Sequence, residues 1–280
     1  MYRDRLRDHL VLIVGVIVMM GPILVAITTS SYDRVYIHNH GMQIGWGGNF
    51  LETYRNVLFY KGGFSGEVTG ALMAMNSAIL GIGFAVGKIV VSMLAAYAIV
   101  YFRFPLGTFF FWVIFSTLLL PLEVRILPSY EVVQQMGLLN SYTGLILPLI
   151  ASATGTFYFR QFFRSVPDEL VEAARIDGAG PFRFFIDILV PLSKTMMAAI
   201  FIIMFVVGWN QYLWPILITT DEHYFTLVRG IKQVLQVYIG ADIPEYNEAL
   251  AMAILAMLPP GLVIVVFQRM FIKGLVETEK

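Results

Sequence analysis

The chain is 280 residues long, 58% hydrophobic and only 14% charged, with a mean hydropathy of +0.74. A soluble domain carries roughly 45–50% apolar and about 25% charged residues, so this composition excludes an ordinary water-soluble fold. Nineteen basic residues balance nineteen acidic ones, which argues against a nucleic-acid binder, and the absence of cysteine removes disulfides, Cys-zinc sites, iron–sulfur clusters and thiol nucleophiles.

At about 20 residues per span the length leaves room for about six membrane helices. The first apolar run, Leu10–Thr29, follows Arg3, Arg5 and Arg7. It is longer than the usual core of a signal peptide (about 7–15 residues) and no small-x-small cleavage site follows, so it reads as an uncleaved first span. Ser30–Gly70 is polar, Gly-rich and aromatic, with a short interfacial helix expected at Phe50–Phe59. His38 and His40 lie in this segment and read as solvated loop residues rather than a metal site.

The second run, Leu72–Tyr101, is interrupted only by Lys88. Gly87-Lys88 does not belong to a phosphate-binding loop, because Ile82 holds the earlier glycine position and Ile89 the Ser/Thr position. Gly83 and Gly87 read instead as a GxxxG packing face. The third run, Thr108–Leu122, is short and is expected to continue past Pro121 to about residue 127. Tyr142–Phe163, Leu192–Thr219 and Ala249–Gln268 complete six spans. Pro22, Gly208, Pro215 and Pro259-Pro260 are expected to interrupt helices and set kinks for packing. No linker is long enough to divide the chain, so residues 1–280 read as one all-α membrane domain.

Lys and Arg set the orientation. With the N-terminus inside, twelve of the nineteen fall inside, six outside and one, Lys88, within a span. Both termini are therefore expected in the cytoplasm.

Ionisable groups within a span are functional candidates. Lys88 lies about 22 Å from Arg103 along a helix, at ~1.5 Å per residue. Glu123 lies at a similar depth in the next span, so Lys88 is expected to face Glu123 or a polar cavity. A structural ion pair is one reading. The other is an anion path lined by Lys88 and Arg125, suited to a phosphate ester. Late in the fifth span, Asn210 and Gln211 sit among Trp209, Tyr212 and Trp214. They fit an interfacial aromatic belt, or a polar ring that holds a small polyol.

The loop of residues 164–191, between the fourth and fifth spans, is the most charged part of the chain. Ser165 and Asp168 fit a capping box, and Pro167 suits a first helical turn. Gly178 and Gly180 stop this helix, and Pro181 starts a second, Phe182–Val190. Leu170, Ala173, Ala174 and Asp177 share one face at helical spacing, where small side chains permit close approach. Such a helix–turn–helix either caps the bundle or docks a soluble partner.

Glu172-Ala173-Ala174, then Gly178, Ile188 and Pro191, resemble the EAA loop of ABC-importer permeases, with Val190 where that pattern has Leu. Asn56, Asn76-Ser77, residues 95–98, Arg103-Phe104-Pro105, Pro121, Pro128 and Gln268-Arg269 resemble the carbohydrate-importer branch. Residues 120–126, 168–179 and 208–215 resemble the second permease subunits of sn-glycerol-3-phosphate importers, and the likeness covers nearly the whole chain. The resemblance implies the ABC type I importer permease fold, with six spans and a cytoplasmic coupling helix–turn–helix. It implies a transport subunit for sn-glycerol-3-phosphate and related glycerophosphodiesters in the bacterial inner membrane, not an enzyme. The partners would be a homologous second permease, a homodimeric pair of ATPases that bind the ATP and Mg, and a periplasmic substrate-binding protein. Glu172, Ala173, Ala174, Asp177, Gly178, Ile188 and Pro191 would couple to an ATPase, and the chain itself would need no cofactor. The rival cargo is a neutral sugar or polyol. The rival class is an ion-driven secondary transporter, which gives the EAA loop no role.

Overall fold

The computed structural model describes residues 2–60, 68–102, 104–236 and 243–276. Every regular element among them is helical. In chain order these are α1 (Tyr2–Thr29), α2 (Arg34–His40), α3 (Phe50–Phe59), α4 (Gly70–Tyr101), α5 (Gly107–Ser116), α6 (Leu122–Gln135), α7 (Tyr142–Ile146), α8 (Ala153–Ser165), α9 (Asp168–Ile176), α10 (Pro181–Phe184), α11 (Val190–Leu192), α12 (Lys194–Trp209), α13 (Leu213–Ile218), α14 (Leu227–Gln236) and α15 (Tyr246–Val276). Phe185–Leu189, between α10 and α11, is a π-helical turn.

Three helical stretches are long and apolar enough to cross a membrane: Asp8–Thr29, Gly70–Tyr101 and Tyr246–Gln268. Three bent pairs also qualify if each counts as one span, giving up to six: Gly107–Leu119 with Val124–Gln135, Tyr142–Leu149 with Ala153–Ser165, and Pro181–Leu192 with Lys194–Trp209.

Contacts divide the chain into two compact units, each discontinuous in sequence. The first comprises Met1–Asn76 and Asp221–Pro259. Within it, Thr28 Oγ1 donates to the Gln43 carbonyl at 2.6 Å and Gln43 N–H donates to Thr29 Oγ1 at 2.9 Å, fixing the exit from α1. The buried Asn76 amide donates to the carbonyls of His223 (2.6 Å) and Phe225 (2.9 Å). Arg34 pairs with Glu245. The expected helix at Phe50–Phe59 is present with those bounds. His38 and His40 lie on α2 rather than in a loop; His38 stacks on Tyr246 and His40 on Tyr36.

The second unit comprises Ser77–Thr220 and Pro260–Lys280. In a bilayer the lipid is as apolar as any side chain, so close packing rather than hydrophobic burial holds helices together. The glycines of α4 serve that purpose. A Cβ at Gly83 would stand 2.6 Å from Ile146 Cδ1, and one at Gly87 would run into Ile150. The GxxxG reading therefore holds, with the 142–150 segment as its partner. A second close crossing joins α4 to α12, where a Cβ at Gly208 would stand 3.1 Å from Gly81 Cα and 3.0 Å from Phe84 Cβ.

The helices break where the apolar pattern gives no warning. The third apolar run does not continue straight past Pro121. Helical structure stops at Leu119, Pro121 is extended (φ −62°, ψ 152°), and the axis turns by 106° into α6. The fourth run breaks at Ile150–Ser152 with a bend of 51° and the fifth at Asn210–Tyr212, whereas the 72° turn at Ser193 falls at the expected entry from the loop into the fifth run. Conversely, Pro22, Pro259 and Pro260 sit inside the unbroken helices α1 and α15.

A break frees carbonyls that a bilayer cannot satisfy, and side chains take them up. Lys88 Nζ donates to the Ala151 carbonyl at 3.2 Å and Ser92 Oγ to that of Ser152 at 3.2 Å. Ser193 Oγ adds a second bond to the Leu189 carbonyl at 2.6 Å, which the Ser193 N–H already holds at 3.0 Å. The Gln211 side-chain amide takes up the freed Val207 carbonyl (3.3 Å), while that of Asn210 joins its own N–H on the Val206 carbonyl (2.9 Å).

Candidate functional site

Residues 164–191 form two short helices and a tight turn. Ser165 does not cap the first, because its hydroxyl donates backward to the Phe162 carbonyl at 2.7 Å as α8 ends. The helix starts at Asp168, with Pro167 outside it at the N-cap position and Asp168 and Glu169 in its positive first turn. At the other end Gly178 has φ +74°. Its N–H donates to the Arg175 carbonyl (3.1 Å) and the Ala179 N–H to that of Ala174 (2.8 Å). That is a Schellman closure, and its left-handed position requires glycine or tolerates asparagine.

The two alanines of the expected face part company. Ala174 is buried, while Glu172, Ala173, Asp177 and Gly178 are exposed. The period of 3.6 residues sends neighbours 100° apart, so only Ala173 remains for an outside partner. Leu170 is partly exposed, and Ile176 and Phe182 are 86% and 79% exposed. Ile188 is half-buried in the π-turn and Pro191 is exposed. The loop thus offers two large apolar side chains next to the carboxylates of Glu172 and Asp177. Glu172 also borders a groove of about 360 Å³ with Asp168, Arg160, Arg164 and Arg175.

Sequence reasoning missed what backs this loop. Tyr97 and Tyr101, one turn apart at the end of α4, clamp it from the inside. Tyr97 OH donates to the Pro181 carbonyl at 2.8 Å and its ring lies 5.0 Å from that of Phe185. Tyr101 OH donates to the Phe163 carbonyl at 3.2 Å and its ring lies 5.4 Å from that of Phe184. Two tyrosines at i, i+4 closing an apolar span were the available signal: such rings bury their bodies and keep a polar tip for a partner.

The intramembrane candidates meet elsewhere in the same unit. Lys88, 9% exposed, lies over the Phe84 ring at 4.4 Å and lines a cavity of about 380 Å³ together with Arg125. The expected Lys88–Glu123 pairing lies outside the described residues, since the Glu123 side chain is not among them. Asn210 and Gln211 are not brought to this cavity. Their flanking tryptophans are no interfacial belt: Trp209 and Trp214 are 2% and 0% exposed, and Trp214 Nε1 donates to the carbonyls of Gly144 and Leu145. Packing inside the protein, not the water interface, claims these rings.

Interrupted apolar helices and an exposed, glycine-closed helix pair are the features to which the family comparison assigns a class. Residues 88–277 match the family model described as binding-protein-dependent transport system inner membrane component. The chain belongs to this family of ABC-importer permeases and is an inner-membrane component. It is 50% identical to the sn-glycerol-3-phosphate transport system permease protein UgpE of Brucella melitensis, over 99% of this chain and 98% of that one. It is 51% identical to the protein of that name in Rhizobium meliloti, with the same coverage, and 48% identical to that of Pectobacterium atrosepticum, over 98% and 96%. Its fold is similar to a crystal structure of a bacterial ABC transporter involved in the import of the acidic polysaccharide alginate, with a TM-score of 0.79, 18% identity and 96% of each chain covered.

Proposed function

We propose that the chain is a membrane-spanning subunit of an ATP-driven importer for sn-glycerol-3-phosphate and related glycerophosphodiesters. The observation that carries this reading is the exposed face of the 164–191 loop, closed by Gly178 and braced by Tyr97 and Tyr101. A rigid projection of this kind passes rigid-body motion between a membrane bundle and a soluble partner. The names of relatives about half identical over their full length support the cargo.

In this reading six spans cross the membrane, three of them as bent pairs, and both termini face the cytoplasm. The loop faces the cytoplasm too. Glu172 and Asp177 offer carboxylates to one ATPase subunit, and Ala173 allows its close approach. Gly178 holds the turn, Ala174 and Ile188 seat the loop on the bundle, and Pro191 stays exposed at its end. A homologous permease completes the channel, two copies of the ATPase bind ATP and Mg, and a periplasmic binding protein delivers the substrate. This chain binds no cofactor.

The test is uptake of labelled sn-glycerol-3-phosphate by vesicles holding the complete importer. Uptake that requires ATP, the binding protein and an intact Gly178 supports the reading. Import of neutral polyols in preference to the phosphate ester assigns a different cargo. Uptake by this chain alone, driven by an ion gradient, contradicts the whole reading.

A further inference from the structure

The cavity beside Lys88 has an electrostatic character that the coupling loop does not explain. Lys88 from α4 and Arg125 from α6 both line it. The other lining residues are apolar or carry hydroxyls, among them Thr117, Ser152, Thr154 and Thr156, and no carboxylate occurs among the described lining residues. Two cations share one cavity of about 380 Å³, a size within the range of small-molecule sites.

That arrangement is costly when the cavity holds only water. A buried lysine is normally paired, because removing an ammonium from water costs far more than a neutral contact returns. Among the described residues Lys88 meets one neutral carbonyl, that of Ala151, and the face of Phe84. An ammonium has three donors, and the carbonyl uses one. Arg125 adds a second positive charge, which repels the first. A dianion between them relieves both penalties at once, and a guanidinium fork with an ammonium point charge is a suitable grip for a phosphate.

The hydroxyls add less. Thr156 Oγ1 donates to the Ser152 carbonyl (2.9 Å) and Thr117 Oγ1 to that of Ile114 (2.7 Å), so both are committed to their own helices. Ser152 Oγ accepts from the Gly155 N–H at 3.2 Å and keeps its own proton to donate. Arg125 also borders a second, more apolar cavity of about 390 Å³ with Pro128, Val132 and Leu147. It therefore stands between two adjoining spaces, one basic and one apolar, as a relay along a route would.

We infer that the Lys88–Arg125 cavity holds the dianionic phosphate of the transported ester during passage. This rests on the proposed cargo and makes a separate claim: that this subunit, and these two side chains, read the charge of the substrate.

The test uses the complete importer in proteoliposomes with a saturating excess of loaded binding protein, so that capture does not limit uptake. Rates are compared for sn-glycerol-3-phosphate and for the monoanionic sulfate ester of glycerol. Lys88→Met and Arg125→Gln are each expected to slow uptake of the dianion roughly tenfold or more, the scale of a lost charged hydrogen bond, and to narrow its advantage over the monoanion. Lys88→Arg should restore most of that advantage. Because Lys88 also satisfies the Ala151 carbonyl, Arg125→Gln serves as the arm free of that role. Copurification of the partner subunits with each variant checks assembly. A wild-type complex that imports no phosphate ester overturns the proposed cargo. A wild-type complex that does, with both variants keeping its rate and charge preference, overturns this inference alone. A defect that tracks the anionic-lipid content of the vesicles assigns the cavity to a lipid phosphate and overturns it too.

Discussion

The 164–191 loop and the Lys88 cavity are built in opposite ways. The loop closes on itself: its turn depends on hydrogen bonds that span three to five residues and on one glycine in the left-handed region. The cavity depends on contacts across the sequence, with Lys88 reaching Ala151 and Ser92 reaching Ser152, some sixty residues away. A local motif keeps its shape when the bundle around it moves. A cavity assembled from interrupted spans changes whenever those spans shift. The difference suits a rigid lever and a site that must open to each side in turn.

The hardest blow to the loop should be Gly178→Val. A side chain in the left-handed region costs about 1–2 kcal/mol, and a β-branched one more. ATP-dependent uptake should fall by at least roughly tenfold while the subunits still copurify, and Gly178→Asn should be much milder. Full uptake by the valine variant would show that the turn is not required. In the same unit as the cavity, Gly208→Leu should push α12 off α4, because a Cβ there already meets Phe84 Cβ at 3.0 Å and the Gly81 backbone at 3.1 Å. Overpacking of this kind costs about 1–3 kcal/mol, read as a lower apparent Tm of the purified subunit; an unchanged Tm would argue against this crossing.

Smaller effects sharpen the same contrast. Glu172→Ala should weaken ATPase docking by up to ~3 kcal/mol if its contact is charged, with the Tm of the subunit unchanged because the side chain is exposed. A drop in Tm would make Glu172 structural instead. Tyr97→Phe removes one hydrogen bond to the loop, worth about 0.5–1.5 kcal/mol, and keeps the ring stack. It should reduce coupling slightly, measured as ATP consumed per molecule imported; no change would leave the clamp to the rings alone. The least effect is at Asp221, outside the spans. The His223 backbone N–H, then its side chain, hold this carboxyl below the usual aspartate value. A lowered folded pKa contributes stability above the unfolded value and loses it as pH falls through the folded one. Asp221→Asn should therefore lower apparent Tm slightly and by the same amount between pH 7 and 5, and the gap to the wild type should close below about pH 4 as the wild-type carboxylate is protonated; a gap that widens on acidification would contradict this.

The loop was largely legible from sequence because its punctuation is local. Pro167, Gly178 and Pro181 mark helix ends by their own backbone restrictions. The apolar runs were legible for a similar reason, since length and composition alone define them. Interruptions within those runs were not. At Asn210–Tyr212 the sequence stays apolar on both sides, and the Gln211 side-chain amide takes up the Val207 carbonyl that the break frees. Pro22 and Pro259-Pro260 gave the opposite error, because a long helix absorbs a proline without breaking. Ala174 shows the limit of face counting: one helical turn cannot say which side meets the bundle until Tyr97 and Phe184 are known to lie beneath it.

The central claim is that the 164–191 loop is the docking element for an ATPase. The chain has no native cysteine, so single cysteines report cleanly. Ala173→Cys on the exposed face of α9, and Leu51→Cys, an equally exposed site on α3, can be compared in the assembled importer with a short bifunctional thiol reagent. The account predicts a cross-link from position 173 to the ATPase, altered by ATP, and none from position 51. An intact complex that cross-links from position 51, or that never does so from position 173, would contradict it.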